Sequence, residues 1–459
     1  MLLRTLRTAG LLLLVGCVGL AAPDPETVPR PDHIEKMREY LESFGGTPIA
    51  FGEAAAQVKA ENEDLRAERA DIDQSDAERA AARGLRYPEI EIEAMAIALD
   101  SPVKVGIDPI PFKLEVQSHQ FKSGKAGFEW PLYTGGRIDA ANAAAEAKQE
   151  ETRADYRRNE HALLTELARR YYGLDLAKRV CVVRKLNVLA MEENAYRAKR
   201  LVEEGMIANV EYLNAKVALS NAQQKLDASE RDVTIVSEGL SNILNTREQM
   251  DAVSPLFILP EIAPIDTFVG YVNDAHPVLA LIDAKNDQAH QGVRAAKGEN
   301  RPEAFAFGYQ ELVPEDLTML DPEGVLGLGV RYKLFDGGRR KHKVRAAQAL
   351  ERKTEHLQRK YRRDLRTLVI KRYEELEKAH EQYDTFNDTI ALTRENLRVR
   401  RRAFAEGLAT SVEIVDATVA HAMAHLGRIK AAYDFDLALF QLLEASGQTD
   451  RWAEFVDRG

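Results

Sequence analysis

The stretch "PLYTGGR" (131–137) decides the fold, and it has a counterpart in "KLFDGGR" (333–339). Each stretch follows residues that alternate like a β-strand and precedes a long run that is typical of a helix. Glycine tolerates the positive φ values that a sharp turn from a strand into a helix requires. We therefore predict two strand-to-helix junctions, at Gly135, Gly136 and Arg137 and at Gly337, Gly338 and Arg339.

A long helix is predicted after each junction, at about 138–203 and 340–405, and neither run contains proline. Each is about 100 Å long at a rise of ~1.5 Å per residue. A glycine ends each of them, and a shorter helix follows, at about 210–245 and 411–446. The pattern predicts two helical hairpins, 138–245 and 340–446.

The spacing between these parts indicates an internal duplication. Gly136 and Gly338 are 202 positions apart, and so are Gly205 and Gly407, the glycines at the hairpin tips. Helix, two strands, long helix, tip and shorter helix therefore occur twice in the same order.

A pair of strands precedes each junction, within about 89–132 and 303–334. In the later pair, Phe305, Phe307 and Tyr309 share a face of the first strand, and Leu326, Leu328, Val330, Tyr332 and Leu334 share a face of the second. A pair that is apolar on one side and small or polar on the other is typical of a membrane-spanning barrel. A soluble hairpin with one buried face remains the alternative. The first pair is longer by 12 residues, so its outer loop or strands must be longer.

The N-terminus "MLLRTLRTAGLLLLVGC" carries Arg4 and Arg7 before an apolar run that is too short to span a bilayer. It ends in Gly16-Cys17, which resembles the lipobox of bacterial lipoproteins. The resemblance implies that Cys17 is acylated and becomes the new N-terminus, and Val18 favours sorting to the outer membrane. Cleavage nearby by the ordinary signal peptidase is the alternative.

The composition favours long helices and excludes several classes of protein. Charged residues are 30% of the chain, aromatic residues 7%, and the formal net charge is −10. An acidic chain is a poor match for nucleic acid. Apart from the N-terminus, no run of about 20 apolar residues predicts a transmembrane helix. The second cysteine, Cys181, is spaced in heptads with Leu167, Leu174 and Val188, so we predict a buried side chain in a helix seam rather than a reactive thiol.

The sequence predicts no enzyme, cofactor or metal site. Neither a Ser-His-Asp order, a P-loop nor a zinc-hydrolase motif is legible. His421 and His425 are four residues apart, but two histidines without a carboxylate or cysteine ligand are a weak metal site. We expect both to be surface side chains.

The lipobox, the duplicated strand pair before "GGR", and the tip glycine followed by acidic residues resemble the TolC-type outer-membrane channel family. The resemblance covers nearly the whole mature chain. It implies a mainly α protein with a transmembrane β part, in which helices form a coiled-coil tunnel. Each protomer then contributes four strands to the 12-stranded barrel of a homotrimer. Four strands cannot close a barrel alone, so oligomerisation is physically required.

The resemblance also implies a function. Such channels are the passive outer-membrane conduits of tripartite efflux pumps and type I secretion systems. The expected partners are a periplasmic adaptor protein, an inner-membrane transporter and outer-membrane lipid, with no nucleic acid and no cofactor besides the lipid on Cys17. A periplasmic adaptor-like coiled-coil lipoprotein without its own pore is the alternative, although its single hairpin would lie between lipoyl-like halves.

These interpretations divide the chain into five parts. The predicted parts are a signal peptide (1–16), a lipidated tether (17–32), a first repeat (33–261), a second repeat (262–447) and a C-terminal tail (448–459).

Family members carry acidic rings at the periplasmic aperture of the tunnel, close to the tips. Glu413 and Asp416 share a helix face there, and Glu211 and Asn214 occupy the matching positions of the first hairpin. A solvated acidic face is the alternative for this pair. The tyrosine and arginine that latch well-studied members are replaced here by Phe404 and Ala409, so pairing of Arg401 or Arg402 with Glu211 is only a hypothesis.

The hairpin tips resemble the surface on which family members dock the adaptor. A plain helix-hairpin turn is the other interpretation, because it would need the same glycines. The tip residues are Gly205, Met206 and Ile207 in the first hairpin and Gly407, Leu408, Ala409 and Thr410 in the second.

Overall fold

The computed structural model describes residue 40 and residues 43–106, 113–314 and 322–456, and they are mostly helical. The helices are α1 (Phe51–Glu61), α2 (Glu63–Gly84), α3 (Arg137–Glu203), α4 (Asn209–Ile243), α5 (Ile265–Ala275), α6 (Pro277–Gly298), α7 (Arg339–Ala405), α8 (Ser411–Ser446) and α9 (Trp452–Val456). The strands are β1 (Thr47–Ile49), β2 (Glu89–Ala98), β3 (Val103–Gly106), β4 (Lys113–Gln117), β5 (Gln120–Tyr133), β6 (Met250–Ala252), β7 (Glu303–Glu311) and β8 (Gly324–Arg331). The predicted signal peptide, tether and Cys17 lie outside the described residues.

The chain forms two compact units. The first contains the described residues up to Leu65, residues Asn159–Asp274 and the described residues from Leu365 onward. The second contains Arg66–Arg158 and the described residues of Ala275–Asp364.

An aromatic cluster forms the core of the first unit. The ring of Phe51, at the start of α1, lies 4.9–5.3 Å from four other aromatic rings and is 1% exposed. These rings belong to Tyr171, Tyr172, Phe440 and Trp452. Aromatic pairs at such distances add to the stabilisation from burial. The cluster therefore joins α1, α3, α8 and α9. Cys181 is also buried in this unit, with Leu167, Leu174 and Val188, as predicted.

Tyr171 holds the two short strands of this unit together. Its hydroxyl donates to the Ile49 carbonyl at 2.7 Å and accepts from the Val253 and Ser254 amides at 3.0 and 2.8 Å. These groups flank the parallel pair of β1 and β6, so one buried hydroxyl satisfies three backbone groups where a short ladder ends.

Two carboxylates, the half-buried Asp175 and the buried Asp436, hold the segment that follows β6. Asp175 accepts from the Leu256 amide at 3.2 Å and from Arg179 at 2.8 Å, and Asp436 accepts from the Phe257 amide at 3.3 Å. The other oxygen of Asp436, Oδ1, is buried without a partner among the described residues. Burial, together with the nearby Asp175, raises the pKa of Asp436 well above its ordinary value.

A break at Asn62 separates α1 from α2. Asn62 is extended there, with φ −65° and ψ 131°. Its side chain accepts from the Asp64 amide at 3.0 Å and donates to the Ile243 carbonyl at 3.2 Å. Asparagine competes with the backbone for such bonds, so it favours a helix start over a helix interior.

The second unit contains an open four-stranded antiparallel sheet in the order β2-β5-β7-β8. Its apolar face carries Ile90, Ile92, Trp130, Leu326, Leu328 and Val330, and its polar face carries Glu89, Glu91, Glu93, Lys125, Glu129, Phe305, Phe307, Tyr309 and Arg331. The residues of the apolar face are exposed in the single chain.

The register corrects one expectation about these faces. Phe305 and Phe307 lie opposite Gly329 and Gly327, so the aromatic side chains are on the polar face and not with Leu326. A Cβ added at Gly329 would lie 2.5 Å from the Phe305 ring. The rings therefore cover the glycine backbone, a pairing that alternation within a single strand does not reveal.

The longer first strand pair is also explained. β3 and β4 form a separate two-stranded ladder between β2 and β5, whereas β7 pairs with β8 and no further strand is described between them. The extra residues therefore lengthen the first hairpin, as the difference in spacing predicts.

Both junctions have the predicted backbone. The φ values are +68° and +85° at Gly135 and Gly136, and +67° and +82° at Gly337 and Gly338. The surroundings of the two junctions differ. A Cβ at Gly135 would lie 2.5 Å from the Gly298 carbonyl oxygen, whereas no described atom lies within 4 Å of a Cβ at Gly337.

This difference predicts unequal costs for two matched substitutions. Gly135→Ala and Gly337→Ala both place a side chain in left-handed backbone, at a cost of about 1–2 kcal/mol. Only Gly135→Ala also forces the end of α6 away, which adds roughly 1–3 kcal/mol. Denaturant unfolding in detergent should give a clearly larger loss of stability for Gly135→Ala. Equal losses would mean that the contact with Gly298 relaxes freely.

Asp436→Asn should change how stability depends on pH. The folded state raises the pKa of Asp436, so it binds the proton more tightly than the unfolded chain does. Wild-type stability must then fall as pH rises above the ordinary aspartate value of about 3.9. Asparagine keeps the acceptor for the Phe257 amide without ionising, so the variant should be more stable at neutral pH and should lack this fall.

Melting temperatures from about pH 4 to pH 8 test this prediction. Asp434→Asn is the control on the same helix, because Asp434 pairs with Lys430 at 2.7 Å at the surface. Parallel curves for wild type and Asp436→Asn would contradict the assignment.

Candidate functional site

Both long helices end at the hairpin tips in the same hydrogen-bonded turn. The Gly205 amide donates to the Val202 carbonyl at 3.0 Å and the Met206 amide to the Leu201 carbonyl at 2.8 Å. At the second tip, the Gly407 and Leu408 amides donate in the same way to Phe404 and Ala403. This Schellman motif needs a left-handed residue, and φ is +74° at Gly205 and +73° at Gly407.

The two tips belong to the first unit and share one hydrophobic cluster. Its buried members are Ala195, Ala198, Ala215, Phe404 and Ile414. Ile207 and Ala409, one from each tip, pack against it. Phe404 is therefore part of a core between the hairpins and is 3% exposed.

Glu413 caps the helix in which it lies. The Thr410 hydroxyl accepts from the Glu413 amide at 3.3 Å, and the Glu413 carboxylate accepts from the Thr410 amide at 2.8 Å. This capping box satisfies the first amides of α8. Arg400 also donates to the carboxylate at 2.7 Å. The bond from the Thr410 amide and the charge of Arg400 lower the pKa of Glu413.

Glu211, the matching residue of the first hairpin, serves the same helix. Its carboxylate accepts from the Ser411 amide at 2.9 Å. The first hairpin has Ala208 at its own N-cap, which offers no side-chain oxygen. Both glutamate carboxylates therefore satisfy amides at the start of α8, and Glu211 does so across the two hairpins.

The remaining predicted aperture residues differ in their surroundings. Asp416 is exposed, and no described residue pairs with it, whereas Asn214 is half-buried. Arg402 is exposed, and Arg401 is half-buried facing Glu193 and Arg197 of α3. Within the described part of this single chain, neither arginine forms an ion pair with Glu211.

The apolar side chains at the tips differ in exposure. Met206 is 58% exposed and Leu408 is 78% exposed. Ile207 and Ala409 turn inward to the shared cluster instead. The apolar docking candidates thus divide into an exposed pair and a half-buried pair.

The expectation for the two histidines was wrong, because His421 and His425 are half-buried between α7 and α8. Their ring centroids are 4.7 Å apart, and His421 Nδ1 lies 3.1 Å from the Thr393 hydroxyl. Burial, with nearby arginines, lowers the pKa of each to about 4, so both are neutral at neutral pH. Among the described residues there is no group of three or more His, Cys, Asp or Glu side chains that could hold a metal.

The junction arginines have distinct partners in the second unit. Arg137 pairs with Glu303 at 2.8 Å and donates to the Thr134 carbonyl at 3.1 Å. Arg339 is exposed.

The buried arginine of the second junction is the next residue, Arg340, which the sequence analysis missed. It binds Asp336 at 2.7 Å and the Glu299 and Lys333 carbonyls at 3.2 and 2.5 Å. The acid four residues earlier, "DGGRR", was the available signal.

No helix in the described ranges combines the length and apolar character needed to cross a membrane.

Comparison with known families identifies the class of protein. The model of the outer membrane efflux protein family matches residues 54–246 and 321–448, together more than half of the chain. The chain therefore belongs to this family of outer-membrane channel proteins.

Individual relatives are distant in sequence. The chain is 22% identical to Protein CyaE of Bordetella pertussis over 320 residues, which is 67% of this chain and 65% of CyaE. It resembles the CmeC outer membrane channel of Campylobacter jejuni with a TM-score of 0.74 and 13% identity, covering 92% of each chain. The outer membrane protein VceC of Vibrio cholerae gives 0.73 and 12%, covering 86% of this chain and 96% of VceC. At these identities the structural similarity establishes a shared fold.

Proposed function

We propose that the protein is a passive conduit that carries substrates across the periplasm and outer membrane, as the outer component of a tripartite efflux or type I secretion system. The family match over two separate stretches is the observation that carries this proposal. The proposal includes an internal duplication, which is supported by φ values that agree within about 3° at glycines 202 positions apart.

The proposed assembly is a homotrimer with a 12-stranded barrel. Ile90, Leu326 and Leu328 on the apolar face are 75–80% exposed in the single chain, as suits side chains that meet lipid. β2 and β8 each have one edge without a partner strand among the described residues. Unpaired backbone is not tolerated in hydrocarbon, so copies must join edge to edge until the sheet closes.

The N-terminal anchor is the second part of the proposal. Cleavage before Cys17 and acylation of its sulfur and new amino group would attach each protomer to the outer membrane. One acyl chain binds a membrane only marginally, and several chains anchor a protein stably. The lipid therefore supplements the barrel.

Asp416 is the residue that we propose for a cation-attracting ring at the aperture. Its charge is exposed, whereas Glu413 and Glu211 are bound to amides of α8. Three copies around an axis would place three carboxylates together, and rings of this kind favour cations. The proposed candidates for gating are Asn214, Arg401 and Arg402, because they too lie near the hairpin tips in the sequence.

Met206 and Leu408 are the proposed contacts for a periplasmic adaptor, because they are apolar and exposed beside rigid turns. The inner-membrane transporter would be reached through that adaptor. The alternative of a pore-free adaptor-like lipoprotein accounts poorly for a sheet with a wide exposed apolar face. Membership of a family of outer-membrane channel proteins supports a role other than that of an enzyme.

Reconstitution tests the conduit. The full chain purified from membranes in detergent should give a native mass of three protomers and should form discrete conducting channels in planar bilayers. The intact mass should begin at an acylated Cys17, and Cys17→Ala should remove that acylation. A monodisperse monomer without conductance would contradict the proposal, and an unmodified N-terminus would contradict only the lipid.

Asp416→Asn should lower cation selectivity more than Glu413→Gln does. The first substitution removes a free charge from each protomer, while the second loosens the start of α8. Reversal potentials in asymmetric salt measure this, with Glu374→Gln, an exposed acid in the middle of α7, as the control. If Asp416→Asn keeps wild-type selectivity, the aperture ring lies elsewhere.

A further inference from the structure

The two open edges of the sheet carry opposite charges on the same face. Glu89, Glu91 and Glu93 occupy the polar face of β2, and Arg331 occupies that face at the end of β8. All four side chains are exposed. No ion pair joins any of them to another described residue.

Acidic side chains outnumber basic ones on the polar face near β2. Lys125 lies between Glu93 and Glu311 in the register. Glu89 lies directly opposite Glu129, and like charges in this position destabilise a sheet. The β2 edge therefore has an excess of negative charge.

Arg331 at the other edge lacks a carboxylate partner. Its cross-strand neighbour is Glu303, but that carboxylate binds Arg137 at 2.8 Å. The guanidinium instead lies over the Phe305 ring, 4.7 Å from its centroid. An arginine stacked in this way keeps its hydrogen-bond donors available for a carboxylate.

Strand geometry restricts how two copies can join. In the order β2-β5-β7-β8, β2 and β8 run in opposite directions, so β8 of one copy pairs antiparallel with β2 of the next. β8 has 8 residues and β2 has 10. If all of β8 is paired and the polar faces coincide, two registers remain, which place Arg331 opposite Glu89 or opposite Glu91.

The apolar pattern cannot choose between these registers. A slip by one residue turns every side chain to the wrong face, but a slip by two preserves the faces. Ile90 and Ile92 are interchangeable under that slip. A position-specific interaction is therefore needed to select one register.

We propose that Arg331 of one protomer pairs with Glu89 or Glu91 of the next copy of this chain, and that this ion pair sets the register of the barrel seam. The proposal rests on the trimeric barrel of the proposed function. A single exposed ion pair adds little stability, so its role is to penalise wrong registers. In the register that places Arg331 opposite Glu89, the pair also offsets the repulsion between Glu89 and Glu129.

Cysteine cross-linking on the apolar face reads the register without removing any charge. Val330→Cys is combined with Ile90→Cys or with Ile92→Cys, which lie opposite Val330 in the two allowed registers. Ala96→Cys with Val330→Cys is the control, because in both registers the Cα atoms of these two residues would be too far apart for a disulfide. Mild oxidation should yield covalent trimers for one of the two pairs and not for the control. The native Cys181 is buried and can remain.

Charge reversal in the cross-linking background tests the ion pair. Arg331→Glu should abolish most of the covalent trimer, and adding Glu89→Lys with Glu91→Lys should restore it. Arg345→Glu, an exposed arginine on α7, should leave cross-linking unchanged. If Arg331→Glu fails to reach the membrane, Arg331→Gln should still reduce the yield.

The outcomes separate this inference from the proposed function. A native trimer in which neither pair cross-links, or in which Arg331→Glu cross-links like its parent, overturns the ion pair and leaves the conduit intact. A wild-type protein that stays monomeric and does not conduct overturns the conduit itself.

Discussion

Two consecutive glycines with positive φ are the constraint on which the rest of this structure depends. At Gly135-Gly136 and again at Gly337-Gly338, they turn the end of a strand into the start of a helix of 67 residues. A strand exposes alternate residues to opposite faces, and a helix repeats every 3.6 residues. The apolar pattern must change period within two positions, and residues with a side chain rarely adopt the required backbone.

The matching positions of the two hairpins have different chemical roles. Thr410 and Ala208 occupy the same place before the shorter helices, but only Thr410 has a hydroxyl that can cap. Glu211 consequently binds an amide of the other hairpin rather than of its own helix. The hydrogen bond from the Ser411 amide to Glu211 therefore connects the two tips, which also share one hydrophobic cluster. Glu211 and Glu413 hold the start of α8, whereas Asp416 keeps an exposed charge.

Burial of ionisable groups follows a different principle in each unit. In the first unit, Asp436 is buried because its carboxylate holds the backbone after β6, and the cost of burial appears as a raised pKa. In the second unit, the acids of β2 and Arg331 of β8 lie exposed on the polar face at the sheet edges, without an ion pair to another described residue. The acidic edge at β2 and the basic end of β8 can complement each other only between copies.

Much of the architecture was predictable from local sequence. Long runs without proline, bounded by glycine, predict helices whose observed bounds are Arg137–Glu203 and Arg339–Ala405. The left-handed glycines and the longer first strand pair were also predictable, because turns and spacings depend on neighbouring residues. Tertiary structure decided which side chains meet: the aromatics of β7 cover glycines of β8, His421 and His425 are half-buried against each other, and Glu211 caps a helix about 200 residues away. Periodicity assigns a face to each residue, but only the pairing of distant segments determines what lies against that face.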